Sequence, residues 1–274
     1  MKAMILCAGK GTRLGARTGD KPKCMLRIGT KPLVEHTIDW LHSQGINEIV
    51  INLSHLPEAV RGYFADGASW GVNIQYSFEE TALGTAGGVK NAERFLGRDE
   101  PFLVWYGDNL SRCNIHSLSE LHRERRGIAT IALTERADPW ASGIAEFGDS
   151  GRITRFLEKP SRDKTFSSWV NGGIMVCDPS IFDLIPPGSS DFGHDVLPRM
   201  IEDPRGTYAY RLNASESLFW IDTPGDFDRV EQQFANGNWP GAKDVSSEQP
   251  SDTLPQTKCP EDNVENAVLL ERTN

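Results

Sequence analysis

A glycine-rich segment follows the first apolar run of the chain and carries two cations. The run Ala3–Ala8 is continuously apolar, which predicts a strand buried on both faces. Gly9 and Gly11 come directly after it, and glycines at a strand end let backbone N–H groups approach phosphate oxygens closely. Arg13 and Lys23 add positive charge nearby. This pattern favours binding of a triphosphate and stabilisation of a departing pyrophosphate.

Two common phosphate-binding motifs do not fit this segment. A dinucleotide fingerprint requires Gly-x-Gly-x-x-Gly, but Leu14 occupies the position of the third glycine. A Walker P-loop requires Gly-Lys followed by Ser or Thr, but Lys10 is followed by Gly11. The alternative interpretation is a simple glycine turn with both cations solvated at the surface.

Two aspartates follow predicted strands and are candidate metal ligands. Asp108 comes shortly after the apolar stretch Phe102–Trp105, and Asp222 comes directly after Leu218–Ile221. Open α/β sheets bind ligands at the carboxyl ends of their strands. Mg²⁺ usually takes one or two protein carboxylates together with phosphate oxygens. We therefore expect these two aspartates to hold one Mg²⁺, with capping of the following segments as the alternative role.

A sheet must position these residues, and the first half of the chain alternates strand and helix patterns. Strands are predicted at Ala3–Ala8, Glu48–Leu53, Val72–Tyr76, Phe102–Trp105 and Ala129–Thr134. Helices are predicted from Pro32 to Gly45 and at Pro57–Phe64, Gly87–Leu96 and Ser117–Arg126. Strands separated by helices imply βαβ units. We therefore predict an α/β fold with a Rossmann-like, mainly parallel mixed sheet flanked by helices.

The second half is more mixed and predicts a small β subregion. Ile144–Phe147 and Ile153–Phe156 flank the turn residues Asp149-Ser150-Gly151, which indicates a hairpin. Further strands are predicted at Val170–Cys177, Thr207–Leu212 and Leu218–Ile221, and a helix at Pro224–Phe234 with Thr223 as its N-cap. The periodicity then stops. We predict one domain over residues 1–236 and an acidic, disordered tail over residues 237–274.

Composition excludes several classes of protein. A formal net charge of −9 argues against a nucleic-acid partner, although a local cationic pocket can still bind a small anion. No apolar run approaches the roughly 20 residues that a membrane-spanning helix needs. The scattered cysteines fit a reducing cytosol, so we expect a cytoplasmic protein. The histidines show no spacing typical of metal ligands, and the sequence shows no Ser/His/Asp arrangement typical of a hydrolytic nucleophile.

The glycine-rich segment and later motifs together resemble the sugar-1-phosphate nucleotidylyltransferase family, whose short members include mannose- and heptose-1-phosphate guanylyltransferases and amino-sugar-1-phosphate uridylyltransferases. Each motif alone is weak, but their common order makes chance similarity improbable. The motifs that carry the resemblance are Gly9-Lys-Gly-Thr-Arg-Leu14, Lys21-Pro-Lys-Cys-Met-Leu26, Leu83-Gly-Thr-Ala-Gly-Gly88, Gly107-Asp-Asn109, Phe156-Leu-Glu-Lys-Pro160, Val170-Asn-Gly-Gly-Ile174 and Trp220-Ile-Asp-Thr223.

The resemblance implies an enzyme that joins a sugar 1-phosphate to a nucleoside triphosphate with Mg²⁺ as cofactor. The implied nucleotide-binding residues are Ala8, Gly9, Gly11, Thr12, Arg13, Lys23, Gly84, Thr85 and Gly88, with Gly88 opening a helix. The implied sugar phosphate-binding residues are Gly143, Glu158, Lys159 and Asn171. The implied catalytic residues are Arg13, Lys23 and Asp108, and the metal ligands are Asp108 and Asp222.

The sequence leaves several alternatives open. GTP with a hexose or heptose 1-phosphate is the first choice of substrates, but uridylyl, thymidylyl or adenylyl transfer to another sugar or cyclitol phosphate also fits. A catalytically silent nucleotide-sugar-binding subunit would keep the fold, yet such proteins tend to lose the charged site residues that are present here. A glycosyltransferase is a third hypothesis. A homo-oligomer is also compatible with the sequence.

Overall fold

The computed structural model describes residues 1–19 and 21–237. The strands are β1 Ala3–Leu6, β2 Arg27–Ile28, β3 Lys31–Pro32, β4 Glu48–Leu53, β5 Asn73–Phe78, β6 Phe102–Tyr106, β7 Asn109–Ser111, β8 Ala129–Glu135, β9 Ile144–Phe147, β10 Ile153–Leu157, β11 Trp169–Cys177, β12 Thr207–Arg211 and β13 Leu218–Trp220. The α-helices are α1 Leu33–Ser43, α2 Pro57–Phe64, α3 Gly84–Asn91, α4 Glu93–Leu96, α5 Ile115–Arg125, α6 Leu197–Glu202 and α7 Pro224–Ala235.

The main sheet combines parallel and antiparallel strands. Strands β5, β4, β1 and β6 are successive neighbours and pair in parallel, as expected from their helical connections. Strand β11 pairs antiparallel with β6, β8 and β9, the hairpin β9–β10 is antiparallel, and β12 pairs in parallel with β8. The mixed α/β sheet is therefore confirmed, and its continuous parallel part comes from the first half of the chain.

Alternate residues of β1 point into two separate cores. Ile5 packs into a cluster that includes residues of α1, α2 and α5, whereas Met4 packs into a cluster that includes residues of α3 and α6. Both side chains are fully buried. Helices thus cover both faces of the sheet, and this burial explains why the first strand is apolar at every position.

The element boundaries differ from the sequence predictions in two places that matter for the site. The first strand ends at Leu6, because Cys7 leaves the sheet and begins a loop. The helix predicted from Gly87 begins at Gly84 instead and ends at Asn91, before a separate helical turn. Gly88 therefore lies inside a helix and does not open it, which corrects the expectation drawn from the resemblance.

The last helix begins as predicted. The Thr223 hydroxyl accepts a hydrogen bond from the backbone N–H of Asp226, and the Asp226 carboxylate accepts from the backbone of Thr223 in return. The tail predicted from residue 237 onward lies outside the described residues, except for Gly237 itself. Among the residues that the structure describes, none belongs to a helix with the length and apolar character needed to cross a membrane.

Candidate functional site

The carboxyl ends of three parallel strands meet at one edge of the sheet. Leu6, the last residue of β1, lies opposite Asn52 of β4 and Tyr106 of β6. The glycine loop, defined here as residues 7–11, starts at this edge. Gly11 has a φ of 65°, and a Cβ atom there would lie 2.8 Å from the Cβ of Lys23. Glycine is therefore required at this position both for its left-handed backbone and for close packing against Lys23.

Lys23 and Arg13 meet the two predicted metal ligands in one ion cluster. The Lys23 Nζ donates to Asp108 Oδ2 at 2.7 Å and to Asp222 Oδ1 at 3.2 Å. Arg13 Nη2 donates to the same Asp222 oxygen at 3.0 Å. Asp108 and Asp222 are adjacent because β7 pairs antiparallel with β13, with Asn109 opposite Trp220. The structure thus brings together four residues that are far apart in the sequence.

The charges in this cluster shift the ionisation of Asp222. Burial alone would raise the pKa of its carboxyl, but the nearby cations of Lys23 and Arg13 outweigh burial and lower the pKa. Lys23 is itself only 7% exposed, so its ammonium depends on the two carboxylates for compensation. The lowered pKa keeps the Asp222 carboxyl ionised at neutral pH.

The same two carboxylates fit a Mg²⁺ ion when substrate phosphates are present. Their side chains are 37% and 27% exposed, and they converge on a single ammonium group. Within the described residues there is no group of three or more His, Cys, Asp or Glu side chains that could hold a metal. Two carboxylates completed by phosphate oxygens are nevertheless a common arrangement for Mg²⁺. Asp108 and Asp222 are therefore suitable ligands for a metal that binds together with its substrate.

Two adjoining cavities open on either side of this cluster. The first, which we call the glycine-loop cavity, has a volume of about 210 Å³. It is lined by Leu6, Cys7, Ala8, Gly9, Lys23, Cys24, Ala82, Gly84, Thr85, Tyr106, Gly107, Asp108 and Asp191. Five of the predicted nucleotide-binding positions, Ala8, Gly9, Lys23, Gly84 and Thr85, therefore surround one space.

The second cavity, which we call the Glu158 cavity, has a volume of about 240 Å³. It contains all four predicted sugar phosphate-binding residues together with Arg13, Asp108 and Asp222. The residues lining both cavities are Thr85, Tyr106, Asp108 and Asp191. The two spaces are thus contiguous, and the ion cluster lies where they meet.

The Glu158 carboxylate is enclosed by backbone. A Cβ atom on Gly143 would lie 2.5 Å from Glu158 Oε2, so only glycine permits this close approach. Burial raises the pKa of Glu158, and the neighbouring Lys159 only partly offsets that effect. The Lys159 ammonium lies 3.5 Å from Glu158 Oε1 and is itself 55% exposed. The carboxylate can therefore accept hydrogen bonds from the hydroxyl groups of a ligand in this cavity.

The strands around the Glu158 cavity are locally irregular. Lys159 has a φ of 40°, a left-handed conformation that is costly for a lysine, and its backbone N–H donates to Ser142 O at 3.2 Å. The register of β11 against β8 shifts between Asn171 and Met175. Within this irregularity, Asn171 Oδ1 accepts from the backbone N–H of Gly173 at 2.8 Å. Such bulges are common where a strand must present a side chain to a site.

Sequence reasoning missed Asp191, which lines both cavities. Its Oδ2 accepts from the Thr85 hydroxyl at 2.7 Å, and its Oδ1 accepts from the backbone N–H of Gly193 at 2.8 Å. The Thr85 hydroxyl in turn accepts from the Phe192 backbone, so this predicted nucleotide-binding side chain is engaged within the protein. The polar run from Ser189 to Asp191 was the only sequence signal for this position.

Three predicted nucleotide-binding residues line neither cavity. Gly11 packs against Lys23, and Thr12 begins the short 3₁₀ helix after the glycine loop. A Cβ atom on Gly88 would lie 2.6 Å from the Asn52 amide nitrogen and 2.7 Å from a Glu79 carboxylate oxygen. These contacts indicate packing roles in this structure, and direct binding of nucleotide by the three residues stays a prediction.

Comparison with known protein families identifies one match that covers most of the chain. The family model described as nucleotidyl transferase matches residues 2–236. Its range includes both cavities, the ion cluster and every site residue predicted from the sequence.

Curated relatives are about one third identical to this chain over the aligned segments. A UTP--glucose-1-phosphate uridylyltransferase from Synechocystis is 37% identical over 81% of this chain and 60% of its own length. A mannose-1-phosphate guanylyltransferase from Mycobacterium tuberculosis is 32% identical over 86% of this chain and 65% of its own length. A mannose-1-phosphate guanyltransferase from Pichia angusta is 33% identical over 83% of this chain and 62% of its own length. The chain thus spans less than two thirds of the length of these relatives.

Solved structures show the same fold at lower sequence identity. A protein assigned as a glucose-1-phosphate thymidylyltransferase from Bacillus anthracis superposes with a TM-score of 0.76 at 24% identity, covering 85% of this chain and 94% of the other. HddC from Yersinia pseudotuberculosis superposes with a TM-score of 0.72 at 23% identity, covering 85% of this chain and 99% of the other. At these identities the likeness establishes the arrangement of the sheet and helices.

Proposed function

This chain belongs to the nucleotidyl transferase family, and we propose that it joins a sugar 1-phosphate to a nucleoside triphosphate, forming a nucleotide sugar and pyrophosphate. The observation that carries the proposal is the ion cluster of Arg13, Lys23, Asp108 and Asp222 at the junction of two contiguous cavities. A reaction between two phosphate esters needs two adjoining binding spaces with neutralising charge between them.

The proposed nucleotide site is the glycine-loop cavity. Backbone N–H groups of the loop after β1 would bind phosphate oxygens, and Gly84 and Thr85 at the start of α3 would border the nucleoside. Lys23 would polarise the α-phosphate, and Arg13 would stabilise charge that develops on the departing pyrophosphate. The proposed sugar phosphate site is the Glu158 cavity, where Lys159 would orient the attacking phosphate and Glu158 and Asn171 would meet sugar hydroxyls.

The proposed reaction needs no covalent enzyme intermediate. A phosphate oxygen of the sugar 1-phosphate attacks the α-phosphorus, and the bond from that phosphorus to the bridging oxygen breaks, so pyrophosphate leaves with the electron pair. Asp108 and Asp222 would hold the Mg²⁺ ion, which when bound supplies additional neutralisation of the reacting phosphates. Both cations now paired with these carboxylates must then turn toward substrate, which their shared location at the cavity junction permits.

For the substrates themselves, we propose GTP with a hexose or heptose 1-phosphate as the first pair to test. The second is UTP with glucose 1-phosphate, which is favoured by the name of the relative that is 37% identical. Apart from Thr85, Tyr106 and the charged residues, the residues lining the glycine-loop cavity are small or apolar. Base selection by backbone contacts is therefore compatible with either nucleotide.

A substrate matrix tests the proposal. Purified protein with Mg²⁺ would be incubated with each common nucleoside triphosphate and a panel of sugar 1-phosphates, with pyrophosphate release as the measurement. We expect one pair to be preferred strongly. Absence of release from every pair would contradict the proposal and favour a nucleotide-sugar-binding protein without catalysis. The cytoplasmic location and a homo-oligomeric state stay predictions, to be checked by fractionation and by light scattering.

A further inference from the structure

Two buried polar side chains lie next to the glycine-loop cavity and have no part in the chemistry described above. Asn52 is 1% exposed and Glu79 is 2% exposed. Asn52 is near the end of β4, after the three apolar residues Ile49–Ile51, and Glu79 directly follows β5. Buried polar groups cost free energy unless they are hydrogen-bonded, so their partners show what this pair holds in place.

Asn52 and Glu79 form a continuous hydrogen-bonded chain, which we call the buried bridge. Asn52 Oδ1 accepts from the backbone N–H of Cys7 at 2.7 Å, and Asn52 Nδ2 donates to Glu79 Oε1 at 2.7 Å. The other oxygen, Glu79 Oε2, accepts from the backbone N–H of Leu83 at 2.9 Å. The bridge therefore connects backbone atoms on two separate sides of the cavity.

The two connected backbone positions begin two of the segments that line the glycine-loop cavity. Cys7 is the first residue after β1 and begins the glycine loop. Leu83 is the residue immediately before α3, which carries Gly84 and Thr85. The bridge is the hydrogen-bonded connection between these segments, because no described hydrogen bond joins residues 7–11 directly to residues 82–85. The start of α3 is also anchored on its other side, where Ser190 N–H donates to Leu83 O at 2.8 Å.

Helix α3 packs directly on the bridge. A Cβ atom on Gly88 would lie 2.6 Å from Asn52 Nδ2 and 2.7 Å from Glu79 Oε1. Any larger residue would have to displace the bridge or move the helix. Close packing and three hydrogen bonds together leave Asn52 and Glu79 little freedom to change rotamer.

We propose that Asn52 and Glu79 are positioning residues that hold the glycine loop and the start of α3 at the separation needed to bind a nucleoside triphosphate. This inference rests on the proposed function, because it assumes that the nucleotide occupies the glycine-loop cavity. Backbone N–H groups can bind phosphates only where the backbone is held in place. Loss of the bridge therefore weakens nucleotide binding more than sugar phosphate binding.

Exchanging the amide of Asn52 and the carboxylate of Glu79 tests whether the hydrogen bonds of the bridge, rather than the two side chains as such, support nucleotide binding. In Asn52→Asp, two carboxylates would face each other in a buried space. In Glu79→Gln, an NH2 group replaces one of the two accepting oxygens, so it faces either Asn52 Nδ2 or the Leu83 N–H, which are both donors. In the double variant N52D/E79Q, the carboxylate at position 52 accepts from the Cys7 N–H and from the amide at position 79. That amide still accepts from Leu83, so every hydrogen bond is restored.

We expect each single variant to raise KM for GTP or UTP by about tenfold, the effect of losing one buried hydrogen bond. KM for the sugar 1-phosphate should stay within about twofold, and the double variant should return to within about threefold of the wild type. The matched control is Thr207→Val, which removes a fully buried hydroxyl that donates to Met200 O at 2.9 Å. This control should lower the melting temperature without changing either KM.

Two results would overturn the inference in an active protein. One is a lower melting temperature in the single variants with unchanged KM for nucleotide, and the other is a double variant as impaired as the singles. If Asn52→Asp does not fold, Asn52→Ser replaces it with the same expected rise. Failure of the proposed function is distinct, because the wild type would then release no pyrophosphate. The Kd for GTP or UTP, measured by calorimetry on the same variants, would then test the bridge without turnover.

Discussion

The glycine-loop cavity and the Glu158 cavity are built in different ways. The glycine-loop cavity lies at the ends of parallel strands, and three glycines, Gly9, Gly84 and Gly107, form part of its lining. The Glu158 cavity lies among antiparallel strands with a shifted register, and it presents the side chains of Glu158, Lys159 and Asn171. In the proposed function, the first arrangement would bind phosphate through the regular backbone geometry at the strand ends. The second would depend on individual side chains held in unusual local conformations.

This difference indicates which substitutions would change the binding of each substrate. A cavity lined in part by glycines depends on those glycines and on buried supports such as the Asn52–Glu79 bridge. In a cavity that binds its ligand through individual side chains, one substitution is enough to alter ligand preference. We therefore expect substitutions on the two sides to affect different kinetic constants, and substitutions in the ion cluster between them to affect both.

The largest effect is expected in the ion cluster. Asp108→Ala or Arg13→Ala should lower kcat/KM by roughly 100-fold or more while the protein remains folded. The first removes a proposed Mg²⁺ ligand, and the second removes a cation that would stabilise the departing pyrophosphate. Pyrophosphate release and circular dichroism would measure activity and folding. The matched control is Asp183→Ala, since Asp183 is also paired with an arginine but lies outside both cavities. Near-normal turnover in either variant would remove that residue from the proposed mechanism.

An intermediate effect, restricted to one substrate, is expected on the Glu158 side. Asn171→Ala should raise KM for the sugar 1-phosphate by about tenfold, because a hydrogen bond to a buried ligand is lost. KM for the nucleotide should change by less than about twofold. Initial rates with each substrate varied in turn would test this, and equal changes in both constants would contradict the separation of the two cavities.

Glu158→Gln should make the protein more stable at neutral pH while weakening sugar phosphate binding. Burial raises the pKa of Glu158 above its ordinary value of 4.5, so the ionised carboxylate disfavours the folded state. That cost is absent below the unfolded pKa and fully present above the raised folded pKa. The melting temperature should therefore rise by about 2 °C at pH 7 and be unchanged near pH 3.

Thermal melts across this pH range, with Glu146→Gln as the control, would check the stability change. Glu146 is an exposed glutamate of β9. A variant that is less stable than the wild type at pH 7 would show that the carboxylate is better satisfied than the structure indicates.

The smallest effect is expected at the exposed contact between the glycine-loop side and α7. Arg17 Nη2 lies 2.6 Å from Asp228 Oδ1, with both side chains substantially exposed. Exposed ion pairs contribute little, so Asp228→Ala should change KM for nucleotide by less than about twofold and stability by less than about 1 kcal/mol. Kinetics and urea unfolding would measure both. A tenfold rise in KM would place this contact among the supports of the glycine loop.

Much of the fold followed from pattern alone. The strands β1, β4 and β6 and the capped helix α7 were predicted because apolar runs and capping residues act over short stretches of chain. The start of α3 was misplaced by three residues, because Gly84, a poor helix former, begins a helix that tertiary packing stabilises. The predicted tail cannot be compared, since residues 238–274 are outside the described part of the chain.

The candidate site was only partly predictable. Arg13, Lys23 and Asp108 stood out because cations and a carboxylate follow strand ends. Asp191 and the Asn52–Glu79 bridge were missed because each acts through contacts across distant parts of the chain. A lone asparagine in an apolar strand, such as Asn52, was the available clue.

The sequence by itself determined the family, the strand–helix alternation and the charged residues, because motifs and hydrophobic periodicity depend on residues that are close together along the chain. Only the tertiary structure decided that Lys23 joins Asp108 to Asp222, and that a buried bridge spans the two segments beside the glycine-loop cavity. Pairing across a sheet and burial depend on which strands become neighbours, and that choice follows from packing of the whole chain rather than from any one motif.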